Sequence, residues 1–142
     1  MIGILVCGHD RFGSAMTNVV KLVAGMPHNF GYADYRQEDT ADDFELSFQE
    51  AMKGLEENSE GILVFTDIVQ GTPYKTALEY AEKHPEQKII VISGTNLGAL
   101  TETAIARGYI NDPEVLANLA VEHGKKQVMR ANAPMEEEEP SE

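Results

Sequence analysis

The sequence predicts an α/β domain: a mainly parallel sheet with helices on both faces. Three observations carry that prediction. Short, continuous apolar runs recur along the chain, among them Ile2-Gly3-Ile4-Leu5-Val6-Cys7 and Ile89-Ile90-Val91-Ile92. A strand buried on both faces needs such a run, whereas a half-exposed strand would alternate. Between the runs lie stretches whose apolar residues return at helical spacing. Finally, residues able to do chemistry follow the runs directly, His9 after the first and Asp67 after the third. Open parallel sheets gather their reactive groups at those carboxyl ends.

The elements follow in order. The first strand spans Ile2 to Cys7, and Gly8 makes the turn after it. A helix is expected from about Ser14 to Val23, stopping before Gly25, with Phe12 packing it onto the sheet. A second strand is predicted at Phe30 to Tyr35. Thr40 reads as the next N-cap, with Asp42 and Asp43 in the first turn, where the helix dipole favours acids. Phe44, Phe48, Met52 and Leu55 share one face of that helix. The third strand runs from Gly61 to Thr66. Thr72-Pro73 reads as an N-cap followed by proline at the first helical position, with Ala77, Leu78 and Ala81 turned inward. The fourth strand runs from Lys88 to Ser93. A helix from near Asn96 should turn Leu97, Leu100, Ala104 and Ile105 to the core. Asn111-Asp112-Pro113 opens a last helix carrying Val115, Leu116, Leu119 and Ala120. Gln127 to Met129 is expected to add a short edge strand. Residues 1–130 then form one domain, and 131–142, dominated by Pro and Glu, are expected to be a disordered acidic tail.

With 142 residues the chain can bury one real core but not two. No apolar run approaches the roughly 20 residues that span a bilayer, and the chain opens on a strand without a basic leader. The only cysteine, Cys7, cannot form an internal disulfide and reads as a small buried hydrophobe. A cytoplasmic protein without membrane insertion is expected. The net charge of −13 opposes nucleic-acid binding, which needs a basic footprint. The acidic tail residues Glu136 to Glu139 and Glu142 do not account for all of it; the body is acidic too. Such a surface gives solubility and suits a basic protein partner. His28, His84 and His123 show no metal-ligand spacing, so no metal is expected. Neither GxxxxGK[ST] nor GxGxxG is present, so no nucleotide or other cofactor is expected.

In a parallel sheet of order 2-1-3-4, the connections after strands one and three leave toward opposite faces, and a crevice opens between their carboxyl ends. Gly8, His9 and Asp10 arrive there from strand one, the loop from Asp67 to Pro73 from strand three, and Gly94, Thr95 and Asn96 from strand four. A histidine and an aspartate far apart in sequence are thus predicted to meet. Asp67 would accept a hydrogen bond from one imidazole nitrogen, fix the tautomer and leave the other nitrogen free to attack. The helix after Thr72 would point its amides at the same crevice, a setting that favours a phosphoryl group. Thr72 could contact that group or merely cap the helix.

These residues resemble those of a known family. Gly8-His9 followed by Phe12 is similar to the active-site motif of the mannose-family enzyme IIA domains of the bacterial sugar phosphotransferase system. Thr66-Asp67-Ile68-Val69-Gln70-Gly71-Thr72-Pro73 resembles that family's second motif, and Ser93-Gly94-Thr95-Asn96-Leu97 resembles the segment after its fourth strand. The resemblance covers roughly Met1 to Arg130. It implies a homodimer with a 2-1-3-4 parallel core and an antiparallel fifth strand, here Gln127 to Met129, which can be exchanged between subunits. It implies that His9 takes a phosphoryl group from the phosphorylated carrier HPr and passes it to a histidine of enzyme IIB, during sugar uptake through membrane subunits. Asp67 would orient His9, and Gly71 and Thr72 would form the phosphoryl-binding wall, with no metal or nucleotide required. Three departures stand out: Asp10 where a small residue is common, Gln70 in place of the motif's first glycine, and Gly98 where proline is usual.

Three rivals share parts of this pattern. A phosphotransfer subunit of dihydroxyacetone kinase would use the same histidine chemistry with a different acceptor, and the Asp67 to Pro73 loop favours the sugar-transport branch. A receiver domain phosphorylated on aspartate would place Asp10, Asp67 and Thr95 similarly, but needs a fifth parallel strand ending in lysine. A non-catalytic regulatory interaction domain of the same fold would make His9 an ordinary loop residue.

Overall fold

A computed structural model describes residues 1–25, 27–57 and 59–132. Four strands form one all-parallel sheet: β1 (Gly3–His9), β2 (Phe30–Tyr35), β3 (Ile62–Thr66) and β4 (Ile89–Ile92), in the spatial order β2-β1-β3-β4. The helices are α1 (Phe12–Ala24), α2 (Ala41–Glu56), α3 (Thr72–Lys83), α4 (Leu97–Ala106) and α5 (Pro113–Gln127), with a short 3-10 turn at Pro85–Gln87. The predicted three-layer class and strand order therefore hold.

The layers follow from strand alternation. Ile2, Ile4 and Val6 point to one face and join Val20 of α1, Leu100 of α4 and Leu116 of α5. Leu5 and Cys7 point to the other and join Phe44, Phe48, Met52 and Leu55 of α2 with Ala77 and Tyr80 of α3. Both faces of β1 and β3 are thus dry, which is why their sequences show no alternation. Each fully buried aliphatic or aromatic side chain contributes about 1.5–3 kcal/mol of transfer free energy.

Caps behave as their chemistry predicts. Thr40 accepts from the Asp43 amide at 3.1 Å, and the Asp43 carboxylate accepts from the Thr40 amide at 2.9 Å, a reciprocal capping box. Asn96 caps α4 and Asp112 caps α5. α3 differs from expectation. Thr72 is its first helical residue and Gly71 its cap, at φ 92°, so the threonine hydroxyl is not a cap. Three expected inward positions also differ. Leu78, Ile105 and Val115 face solvent, while Tyr80, Thr103 and Ala117 take the buried places.

The short edge strand expected at Gln127 to Met129 is not formed within this chain. Gln127 is the last residue of α5, and Val128 and Met129 extend beyond it, 80% and 77% exposed. Among the described residues neither pairs with the edge strand β4. Of the predicted acidic tail, residues 133–142 lie outside the described residues, and Ala131 and Asn132 form a turn.

The Gly98 departure has a packing reason. A Cβ there would lie 2.4 Å from the Gln127 side chain, which covers the first turn of α4. Asn96 Nδ2 also donates to the Gly124 carbonyl at 2.9 Å. Together these contacts hold the end of α5 against the start of α4.

Candidate active site

The carboxyl ends of β1 and β3 bring His9 and Asp67 together. His9 Nδ1 lies 2.9 Å from Asp67 Oδ2, and the same oxygen accepts the His9 main-chain amide at 2.9 Å. Asp67 Oδ1 accepts the Ile68 amide at 2.9 Å. Partial burial pushes the Asp67 carboxyl up, but the His9 amide, the His9 ring and the Ile68 amide outweigh it and hold the group below the usual carboxylate range. Asp67 is therefore ionised at neutral pH and can only accept. It follows that Nδ1 carries the ring proton and Nε2 keeps a free lone pair. The His9 side chain is 45% exposed and Asp67 only 13%, so the pair consists of an inner carboxylate and an outward-facing imidazole.

Gly71 forms the opposite wall. A Cβ at this position would lie 2.9 Å from both Cε1 and Nε2 of His9. Its φ of 92° is in the region where a side chain is strained. The loop therefore approaches His9 Nε2 closely because residue 71 is glycine. Gln70, at the departure in this motif, is exposed, so the glycine that makes the approach is retained. Thr72 follows, half-buried, and its hydroxyl has no hydrogen-bond partner among the described residues. The start of α3 carries no side-chain cap, so its first amides face the crevice end uncompensated.

The neighbouring helix start is treated differently, and the sequence reading did not single this out. Asp34, near the end of β2, accepts the Ser14 amide through Oδ1 at 2.8 Å and the Ser14 hydroxyl through Oδ2 at 2.6 Å. A carboxylate from another strand thereby neutralises the start of α1. Gly13 lets this turn sit tightly, since a Cβ there would meet the Val6 carbonyl at 2.6 Å. Gly8 does the same for Phe12 and Asp67. An aspartate ending one parallel strand and a serine opening the adjacent helix was the available signal, but it is a weak one without the strand order.

Asp10 adopts φ 55° and donates its amide to the Tyr35 carbonyl at 2.7 Å. A left-handed position explains why a small residue is common there, and aspartate tolerates it better than most. Thr95 and Asn96 reach this end of the sheet but are engaged: the Thr95 hydroxyl donates to the Thr66 carbonyl at 2.7 Å, and Asn96 caps α4. Cys7 sits just beneath the site. Burial, then the Asp67 charge, push its thiol up, so it stays protonated. Among the described residues no group of three or more His, Cys, Asp or Glu side chains could hold a metal, and no helix is long and apolar enough to cross a membrane.

Comparison with known proteins agrees with this geometry. A family model, EIIA-man, described as PTS system fructose IIA component, matches residues 3–120. The PTS system mannose-specific EIIAB component of Escherichia coli K12 is 27% identical over 145 residues, covering 99% of this chain and 43% of that protein. The chain thus spans less than half the length of such curated relatives. Among solved structures, the phosphotransferase component EIIA from Streptococcus agalactiae superposes with a TM-score of 0.83 at 22% identity, covering 92% of this chain and 97% of that one. The mannose/sorbose specific IIA subunit from Enterococcus faecalis gives 0.81 at 20% identity, covering 94% and 96%. These structural likenesses establish the shared fold, and the family match extends over the strands that carry His9 and Asp67. The chain belongs to the EIIA-man family of phosphotransferase-system IIA components.

Proposed function

We propose that this chain carries a phosphoryl group on His9 Nε2, within a IIA domain formed by residues 1–130. The observation that bears most weight is the 2.9 Å contact between His9 Nδ1 and an ionised Asp67. It leaves one nitrogen nucleophilic and prepares a counter-charge for the ring. The step balances without a cofactor. The Nε2 lone pair of neutral His9 attacks phosphorus, and the P–N bond to the donor histidine breaks. The donor ring, protonated on its other nitrogen, departs as neutral imidazole. His9 becomes a phosphoimidazolium that keeps its Nδ1 proton on Asp67. The reverse sequence hands the group onward. Charge on the phosphoryl oxygens is met by the amides at the start of α3, with Gly71 leaving room and the Thr72 hydroxyl free to donate.

The donor in this reading is phospho-HPr and the acceptor enzyme IIB, both cytoplasmic, with sugar uptake completed by membrane subunits. Family membership and the presence of both strand-end motifs support it over the dihydroxyacetone-kinase alternative. The homodimer is part of the same reading, supported by the exposed Val128 and Met129 and by β4, an edge strand with one side unpaired. The test is incubation with phosphoenolpyruvate, enzyme I and HPr. Acid-labile, base-stable label is expected on the protein and is expected to vanish in His9→Ala. Label that survives this substitution, or that is unstable in base, would refute the assignment. Absence of label on the unmutated chain would favour a non-catalytic interaction domain.

A further inference from the structure

An open cleft of about 500 Å3 adjoins His9, lined by His9, Asp10, Tyr35, Arg36, Gln37 and Asp39. Its charged side chains besides the histidine are two carboxylates and one guanidinium. The Asp39 carboxylate is already engaged, accepting the Arg36 main-chain amide at 3.0 Å, while the Asp39 amide donates to the Arg36 carbonyl at 3.0 Å. Residues 36–39 thus close a tight turn that fixes the Arg36 backbone at the cleft. The Arg36 side chain is exposed and makes no ion pair or hydrogen bond among the described residues.

Register puts this side chain within range of the chemistry. His9 pairs across the sheet with Tyr35, the residue before Arg36, and neighbouring strands are only about 4.8 Å apart. The Asp10 amide, bound to the Tyr35 carbonyl, stitches the two strand ends together. The electrostatic setting also needs a cation. Asp67 and Asp10 both flank His9, and a phosphoryl group adds further negative charge. The start of α3 offsets this from one side only. On the cleft side Arg36 is the one cationic lining residue, and its planar donors match phosphoryl oxygens.

We propose that Arg36 is a phosphoryl-binding residue, pairing with the phosphoryl oxygens while the group is on His9 Nε2 and offsetting Asp10. The inference rests on the reading of His9 as the phosphoryl acceptor. Transfer of this kind gains its rate from positioning and charge stabilisation, so a single guanidinium affects it directly.

Single-turnover transfer from phospho-HPr should be measured for the intact protein, Arg36→Gln and Arg36→Lys, at low and high salt. A second readout is the 31P titration of the phosphorylated proteins after separation from HPr. Arg36→Gln is expected to slow acceptance about tenfold at low salt, and Arg36→Lys to recover part of the loss. The difference should shrink at high salt. The phosphoryl group should titrate about half a unit higher in Arg36→Gln, because a nearby cation favours its more charged form. A residue that only docks HPr would not move that titration. An unchanged 31P titration, or wild-type acceptance by Arg36→Gln at low salt, would overturn the proposal. Failure of the unmutated protein to accept any phosphoryl group would instead overturn the His9 reading, and this inference with it.

Discussion

The two ends of the sheet hold their charges in opposite ways. At the carboxyl end, the His9 side chain is 45% exposed, with one nitrogen tied to Asp67 and the other unoccupied. At the amino end, Arg107 is 3% exposed and spends its guanidinium on main-chain carbonyls. Nη1 donates to Ile2 and Asn29, each at 2.9 Å, and Nη2 donates to His28. Burial lowers the Arg107 guanidinium to about 10, still protonated at neutral pH. The buried cation is a clasp between α4 and the starts of β1 and β2. The exposed imidazole is poised because it is incompletely satisfied. The clasp and the proposed chemistry thus lie at opposite ends of one sheet, sharing only β1, and substitutions should separate them.

The largest separation is expected from Arg107→Ala. The Ile2 and His28 carbonyls would lose the Arg107 donor and the Asn29 carbonyl would keep only the Ile4 amide, and unfolding in urea should show a loss of about 3 kcal/mol. Phosphoryl acceptance per folded molecule should be unchanged. If acceptance falls in parallel with stability, the two ends are not independent. Asp67→Asn should do the reverse. An amide cannot impose the same tautomer or offset the ring's positive charge, so acceptance should fall about a hundredfold or more. Urea unfolding should change by no more than about 1.5 kcal/mol.

Gly71→Ala sits between these cases. Its Cβ would crowd Nε2 at 2.9 Å, and its φ of 92° would strain the backbone. Acceptance should slow about tenfold, and stability should drop by about 1–2 kcal/mol. A variant at wild-type speed would show that the loop yields easily. The smallest effect concerns pH. Because the folded Asp67 carboxyl lies below its ordinary value of 3.8, its contribution to stability is complete above that value. It is lost as pH falls through the lower folded value. The stability difference between the unmutated protein and Asp67→Asn should therefore narrow below about pH 4, and a constant difference would argue against the hydrogen bonds to His9.

The same contrast marks what could be read from the chain alone. The His9–Asp67 encounter was readable because it depends on strand ends and strand order, and continuous runs such as Leu63-Val64-Phe65 declare buried strands. Caps at Thr40, Asn96 and Asp112 were readable because capping is local. Arg107 was not. An arginine ending an amphipathic helix looks solvated, and only the tertiary arrangement brings three carbonyls to it. Asp34 was hidden for the same reason, since its partner Ser14 lies on a different element. The start of α3 was misread by one residue because Gly71 supplies the positive-φ cap that a threonine cannot. Near the end of the described residues, Val128 and Met129 have strand-like sequence, but α5 continues through Gln127 and leaves both exposed and unpaired there.

The central claim is that Asp67 holds the Nδ1 proton so that Nε2 receives the phosphoryl group. Nitrogen-15 and phosphorus-31 NMR of the phosphorylated protein tests this most directly. Phosphorus should couple to Nε2 of His9, with Nδ1 still protonated. Phosphorus bonded to Nδ1 would contradict it, because that nitrogen would then have left Asp67.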